Sequence, residues 1–334
     1  MNQLPNTSRR QFLATTSAAL AAASVAPYAL AEEAPKKKQL PIIDCHQHLW
    51  DLSKFKLPWI KEGTLLGRNY VMDDYNKAIE GTGISHAVYM EVDVDPSQQK
   101  MEVDHLSEIC ESKKTPTIAA VVSGRPAADD FTTYLDYFKD KSVIRGVRQV
   151  LHGGGTPGGY CLSKEFVRGI HALGERGLSF DLCMRPSDLG DGAKLATECK
   201  GTRFIVDHCG NADPKWFATA GEGKTSADGA KIEQWRSDLG KLARLPNVVC
   251  KISGIIASVP KEWSSDDLAP VINQCLEEFG PERVIVGSDW PVCLNGASLA
   301  DWIKSLREIV ASRPVAEQER LFSKNAIALY QLKL

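Results

Sequence analysis

Eight short apolar runs of strand length recur along the chain, separated by segments that carry helix signals. They are PIIDC (41–45), ISHAVYMEV (84–92), TIAAVVSG (117–124), VIRGVRQVL (143–151), LSFDLCM (178–184), RFIVDHC (203–209), NVVCKISG (247–254) and RVIVGSD (283–289). Their starts fall roughly 25–45 residues apart, the span of one strand–helix unit with its loops. Near-continuous apolar strands alternating with helices imply parallel strands buried on both faces. The intervening segments carry the punctuation of amphipathic helices. MDDYNKAIEGTG (72–83) starts with acids and stops at glycine. SQQKMEVDHLSEICESKK (97–114) opens on a serine cap, SKEFVRGIHALGERG (163–177) on Ser163 and SDDLAPVINQCLEEFG (265–280) on Ser265, while VAEQERLFSKNAIALYQL (315–332) predicts a closing helix. Eight such units in about 300 residues predict an α/β chain built as one (β/α)8 TIM barrel over residues 41–334. No G-x-G-x-x-G opens a helix after the first run, which argues against an open dinucleotide-binding sheet.

The first residues read differently. Arg9 and Arg10 precede Phe12, Leu13 and an uncharged Ala-rich stretch that ends in ALA at 29–31. Residues 1–31 therefore resemble a twin-arginine (Tat) export signal, followed by a linker over 32–40. The stretch from Phe12 is long enough to span a bilayer, but its Ala, Ser and Thr content and Pro27 argue against a retained anchor. The implied partner is the Tat export machinery and the implied location is periplasmic or extracellular.

The formal net charge of -2 gives no general electrostatic attraction to nucleic acid. The nine cysteines are scattered singly, with no C-x-x-C pair, and several sit inside apolar runs. They read as small buried hydrophobes rather than a disulfide framework, as suits a chain that folds in a reducing compartment before export.

Barrels of this kind build their sites at the C-terminal ends of the strands. There the sequence places His46 and His48, Glu91 with Asp93 and Asp95, Arg148, Gln149 and His152, Asp181 and Arg185, Asp207 and His208, Lys251 and Ser253, and Asp289 with Trp290. So many ionisable groups within apolar runs are costly unless they pair or act. His46 and His48, at i and i+2, share a strand face. They suit a metal ion, polarisation of a bound oxygen, or a hydrogen-bonded structural pair. His86, His105 and His171 lie within a strand or on helices and read as structural. Lys251 is hard to place in an apolar core except at a barrel mouth, where it can hold an anionic oxygen. The planar fork of Arg148 suits carboxylates and hydroxyls. Trp50, Trp59 and Trp290 flank these motifs with aromatic faces that can stack on sugar-like rings or pack in the core. The Gly-rich HGGGTPGGY (152–160) lacks a GK[ST] ending and reads as a loop at the barrel mouth rather than a phosphate cradle.

With these residues assembled, IIDCHQHLWD, LPWI, VIRGVRQVL, LSFDLCMRPSDL, FIVDHCGNADP, NVVCKISGI, RVIVGSDWPVC and KNAIALYQL resemble the amidohydrolase-related (amidohydrolase 2) family. Within it they are most similar to predicted barrel hydrolases that include sugar-acid lactonases, such as fuconolactonase and rhamnonolactonase. The likeness runs from residue 42 to the end. It implies hydrolysis of a cyclic ester, with Asp289 as the base that activates water. His46, His48, His208 and Lys251 would complete the catalytic set, and Trp59, Glu91, Arg148, His152, Arg185 and Trp290 would hold the substrate. It also implies either one divalent ion such as Zn²⁺ on His46, His48, His208 and Asp289, or metal-free catalysis. FDLCMRP lacks the histidine that metal-binding relatives carry after the fifth strand. Arg148 and Gln149 stand where dinuclear relatives place lysine or glutamate. Both departures argue against two metals. Two rival functions are a zinc-dependent decarboxylase or amidohydrolase of the same superfamily, and a non-catalytic carbohydrate-binding barrel.

Overall fold

All eight apolar runs become strands: β1 (Ile42–Gln47), β2 (Ile84–Met90), β3 (Thr117–Ser123), β4 (Ile144–Val150), β5 (Ser179–Cys183), β6 (Arg203–Val206), β7 (Val248–Ile252) and β8 (Val284–Val286). The computed structural model describes Met1, residues 39–217 and residues 226–334. The export signal expected over 1–31, nearly all of the 32–40 linker and the middle of the 211–231 loop lie outside the described residues. The strands pair in parallel and in sequence order, β1 through β8. β1 and β8 then meet at their C-terminal ends through a parallel bridge between Gln47 and Trp290. Here Asp289 N donates to His46 O and His48 N donates to Trp290 O, both at 2.8 Å. The architecture is the (β/α)8 barrel, carried by Gln39–Leu334.

Alternation along the strands separates two apolar cores. Ile43 and Cys45, Val88 and Met90, and Ala119 and Val121 cluster with Ile205, Ile285 and Tyr330. Residues two apart share one face, so this smaller cluster fills the barrel interior, with Tyr330 as its plug. The larger cluster packs the outer strand faces against the helices. All nine cysteines are buried and unpaired, as the sequence suggested. Among the described residues, no helix is long and apolar enough to cross a membrane.

Helix boundaries depart from the sequence reading in three places. Ser264, not Ser265, caps the helix Ser265–Phe279, because its neighbour's hydroxyl is engaged by Glu308. Asp95 caps the turn before Gln99–Glu111 by accepting from Ser97 N, so Ser97 is a donor there rather than the cap. The closing helix is interrupted by a π turn at Arg320–Lys324 between Val315–Glu319 and Asn325–Tyr330.

Candidate active site

A bulge in β1 builds the site. Asp44 pairs with Ala87 and Gln47 with Tyr89, so three steps on β1 match two on β2. The extra residue reverses the alternation. Ile43 and Cys45 face the barrel interior below it, and His46 and His48 face the interior above it. Asp44 is turned outward, where its carboxylate accepts from Ser288 N (2.7 Å), Ser288 Oγ (2.5 Å), Tyr75 OH (2.8 Å) and His46 N (3.1 Å). That clamp fixes the β1–β8 seam, and the seam carries His46, His48 and Asp289. Gly287 is required beside it, because a Cβ there would lie 2.4 Å from His46 Cβ.

The other ligating groups sit on strained backbone. His208, Cys209, Gly210 and Asn211 have φ of 53°, 55°, 70° and 57°, a left-handed turn that ends β6 at Val206 rather than at residue 209. At His208 and Cys209 this conformation costs about 1–2 kcal/mol each, whereas Gly210 and Asn211 adopt it readily. The turn is held by Trp235 Nε1 donating to Cys209 O (2.9 Å), Asn211 Nδ2 donating to Met184 O (2.7 Å) and the contact of His208 Nδ1 with Ser253 Oγ (2.9 Å). Asp93 (φ 50°) and Asp289 (φ 56°) are also left-handed. Three strained residues facing one pocket mark it as functional.

Protonation follows from the hydrogen bonds. His48 Nδ1 donates to Met90 O at 2.9 Å, so the lone pair of a neutral ring lies on Nε2, which meets Asp289 Oδ1 at 3.1 Å. Burial holds His46 neutral, with its pKa well below the usual value, although Asp207 opposes this. Its Nε2 accepts from Arg148 Nη1 at 3.2 Å and lies 3.6 Å from the same Asp289 oxygen. The proton is then on Nδ1, 3.6 Å from Asp207 Oδ1 and too far for a formed hydrogen bond. The His48 lone pair and a carboxylate oxygen thus face one another, and facing acceptors need a proton or a cation between them; the His46 lone pair, engaged by Arg148, joins such a cation only by giving up that bond. Separations of 3.1 and 3.6 Å match ligands about 2.0–2.2 Å from one ion, and the His48–Met90 bond is the orienting contact that metal-bound histidines usually have. This chain's residues therefore fit one divalent ion on His46, His48 and Asp289. His208 belongs to an adjoining group with His46 and Asp207. A second ion is opposed by the Arg148 guanidinium.

Beneath lies a layer of buried charges. Lys251 Nζ donates to Asp181 Oδ2 (2.6 Å) and Asp207 Oδ1 (2.9 Å). Arg148 bonds Glu91 Oε1 and Glu91 O (both 2.7 Å) and approaches Asp207 Oδ2 at 3.4 Å. Burial works against the ionisation of Asp207, but Lys251 and His46 outweigh it and hold that carboxyl well below the usual range. At Asp181 burial wins over Lys251 and raises the pKa to about 7. Burial, with Glu91 nearby, raises Glu102 to about 8. That neutral-leaning acid accepts from Val92 N and Ser123 N at the ends of β2 and β3.

The pocket above holds ≈ 290 Å³, at the small end of the range of about 300–1,000 Å³ for ligand sites. His48, Trp59, Arg148, His152, His208 and Asp289 line it, as expected from the sequence. Asp93 and Cys183 line it too. Asp93 is paired with Arg125 at 2.8 Å, and Cys183 is buried with its thiol 3.9 Å from Arg148 Nη1.

Four expected site residues sit elsewhere. Lys251 is fully buried under the pocket and saturated by two carboxylates, so it has no free face for a substrate oxygen. Glu91 is equally buried and orients Arg148. Trp290 packs edge-on against Tyr70 and Tyr75 in the core. Arg185 pairs with Asp188 and donates to Gly153 O and Thr156 O, bracing the Gly-rich loop rather than lining the pocket. Asp44, Tyr75, Ser288 and Glu102 support the site without belonging to a recognisable motif, and only Asp44 carries a sequence signal, two residues before His46 in DCHQH.

The amidohydrolase family model matches residues 43–332. L-fucono-1,5-lactonase of Burkholderia multivorans is 28% identical over 303 residues, covering 87% of this chain and 96% of the relative. L-rhamnono-gamma-lactonase of Scheffersomyces stipitis is 23% identical over 342 residues, covering 87% and 98%. A crystal structure of an amidohydrolase from Burkholderia multivorans with bound zinc shares the fold, with a TM-score of 0.75 and 23% identity over 88% of this chain and 100% of that one. A match across nearly the whole barrel, over strand ends that gather histidine and aspartate around one pocket, places this chain in the amidohydrolase family as a hydrolase.

Proposed function

We propose that the enzyme opens a sugar-acid lactone or similar cyclic ester by attack of water. The observation that carries this reading is the convergence of His46 and His48 on one oxygen of Asp289 at the floor of a small pocket. The lactonase relatives support the choice of bond. Asp289 takes a proton from water as the water oxygen bonds to the lactone carbonyl carbon. The oxyanion that develops meets Arg148, which stays cationic because Glu91 and its other neighbours outweigh the burial that opposes the charge. The ring C–O bond then breaks, and the proton held by Asp289 passes to the leaving oxygen, giving the hydroxy acid. His208 and His152, both neutral-leaning through burial, offer hydrogen bonds to hydroxyls. A divalent ion on His46, His48 and Asp289 would supply Lewis-acid polarisation and a lower pKa for water.

A panel of sugar-acid lactones, followed by acid release with and without chelator, tests the reaction. Acid from at least one lactone is expected. Chelation is expected to cost activity that zinc restores. Release of CO₂ from aromatic acids, with every lactone inert, would replace this reading by decarboxylation. Saturable sugar binding without turnover would replace it by a binding barrel.

Trp59 is the aromatic wall. Its Nε1 donates to Val92 O at 2.7 Å and its ring meets Trp50 edge-on at 5.6 Å, leaving the residue 38% exposed. Trp59→Ala is expected to raise KM about 3- to 10-fold by removing a stacking face. kcat should stay within about twofold, because the ring touches substrate alike in ground and transition states. Steady-state kinetics on the best lactone decides it; a fall in kcat with KM unchanged contradicts the role.

We also propose that residues 1–31 direct Tat export to the periplasm or beyond. Arg9 and Arg10 support this reading. Arg9→Lys/Arg10→Lys is expected to leave most of the protein in the cytoplasmic fraction. An unchanged distribution in cell fractionation rules the proposal out.

A further inference from the structure

A second cavity, of ≈ 330 Å³, opens at the other end of the barrel, among the N-terminal ends of β4 to β6 and the C-terminal tail. Every charged side chain on its wall is cationic: Lys139, Lys141, Arg145, Arg176 and Arg203. In a chain of net charge -2 this is a local concentration. Two of the five are neutralised, Lys141 by Asp104 at 3.2 Å and Arg176 by Asp136 at 2.8 Å. Among the described residues, Lys139, Arg145 and Arg203 have no carboxylate partner. Arg203 Nη1 donates to Leu329 O at 2.6 Å and Arg145 Nη2 to Gln331 O at 3.3 Å. Arg145 Nε is buried with no partner at all. A guanidinium has five N–H donors, so most of this donor capacity is unspent. Burial lowers the Arg145 pKa, as expected of a cation short of counter-charge.

Two guanidinium forks without counter-ions suit an acceptor that offers several charged oxygens, since bidentate pairing needs at least two. The cavity's volume is that of a small-molecule site. We propose that it is a second ligand site, separate from catalysis, that binds a small multivalent oxyanion (a phosphate or paired carboxylates) on Arg145, Arg203 and Lys139. The site also ties the ends of β4 and β6 to the C-terminal tail, so occupancy stabilises the fold by mass action.

Titration calorimetry on the full chain at fixed ionic strength tests this with inorganic phosphate, citrate and acetate. Phosphate or citrate is expected to bind saturably and to raise the thermal midpoint, and the tighter of the two names the ligand class. Acetate should bind at least about tenfold more weakly. Arg145→Gln/Arg203→Gln is expected to weaken binding at least about tenfold with basal hydrolysis unchanged. Should that variant fold poorly, Lys139→Glu, which inverts an exposed charge, is expected to weaken binding by roughly threefold or more. The proposal is overturned by the absence of saturable binding, by acetate matching citrate, or by variants that bind like the parent. Binding of that last kind belongs to the catalytic pocket.

Discussion

Asp289→Asn is expected to lower kcat on the best lactone by about 10²–10⁴-fold while leaving the fold intact. The substitution suits this position. Asp289 is left-handed at φ 56°, and asparagine is among the few residues that adopt that region readily. Its backbone N–H still donates to His46 O across the β1–β8 seam. The carboxylate oxygen facing His48 at 3.1 Å and His46 at 3.6 Å is what changes. An amide accepts no proton from water, and its neutral oxygen is a far weaker metal ligand than the carboxylate. The loss should therefore appear in kcat, with an unchanged thermal midpoint as the control for folding. A purified Asn variant with kcat within tenfold of the parent would remove Asp289 from the base role. If zinc content falls together with kcat, the same carboxylate also holds the metal.

The barrel was legible because its evidence is periodic. Eight apolar runs, each too short for a helix and separated by capped amphipathic segments, leave few other folds, and all eight became strands. The site was legible only as far as a strand end can be located. His48, Arg148, His152, His208 and Asp289 line one pocket, with His46 buried against them, because each lies near or beyond the C-terminal end of a strand on one face of the barrel. Orientation was not legible. Whether Lys251 meets the pocket or lies beneath it depends on its depth in the barrel. The carboxylates that capture it, Asp181 and Asp207, come from strands 70 and 44 residues away in sequence. Alternation alone cannot find the β1 bulge, because one extra residue in DCHQH reverses which side chains face inward. The left-handed turn at 208–211 was hidden for a similar reason, since only Gly210 and Asn211 of its four residues favour that conformation by themselves, and His208 and Cys209 do not. Trp290 next to Asp289 suggested a stacking face, yet Tyr70 and Tyr75 bury it.

Lys251→Met is expected to destabilise the protein by about 3–5 kcal/mol, because it strips the cation from between two buried carboxylates. Lys251, Asp181 and Asp207 are all fully buried. Without the lysine, Asp207 keeps only the 3.4 Å approach of Arg148, and Asp181 keeps no cation. Methionine fills similar volume, so the loss is electrostatic rather than a cavity. The pH dependence carries the sign. With the cation gone, burial raises both carboxyls above their unfolded values, so the native state binds more protons than the unfolded state between those two limits. Stability then falls as pH rises through that window. The deficit relative to the parent should be larger at pH 8 than at pH 5, as read from denaturant titrations at both pH values. Lys251→Met/Asp181→Leu should recover much of it, since apolar replacement of a buried pair is often neutral or better. A lysine that donated directly to the oxyanion would instead cost about 10²–10³ in kcat with stability preserved. A stable, slow variant would therefore put Lys251 back among the catalytic residues, and a fragile variant that still turns over fixes it as the strut beneath them.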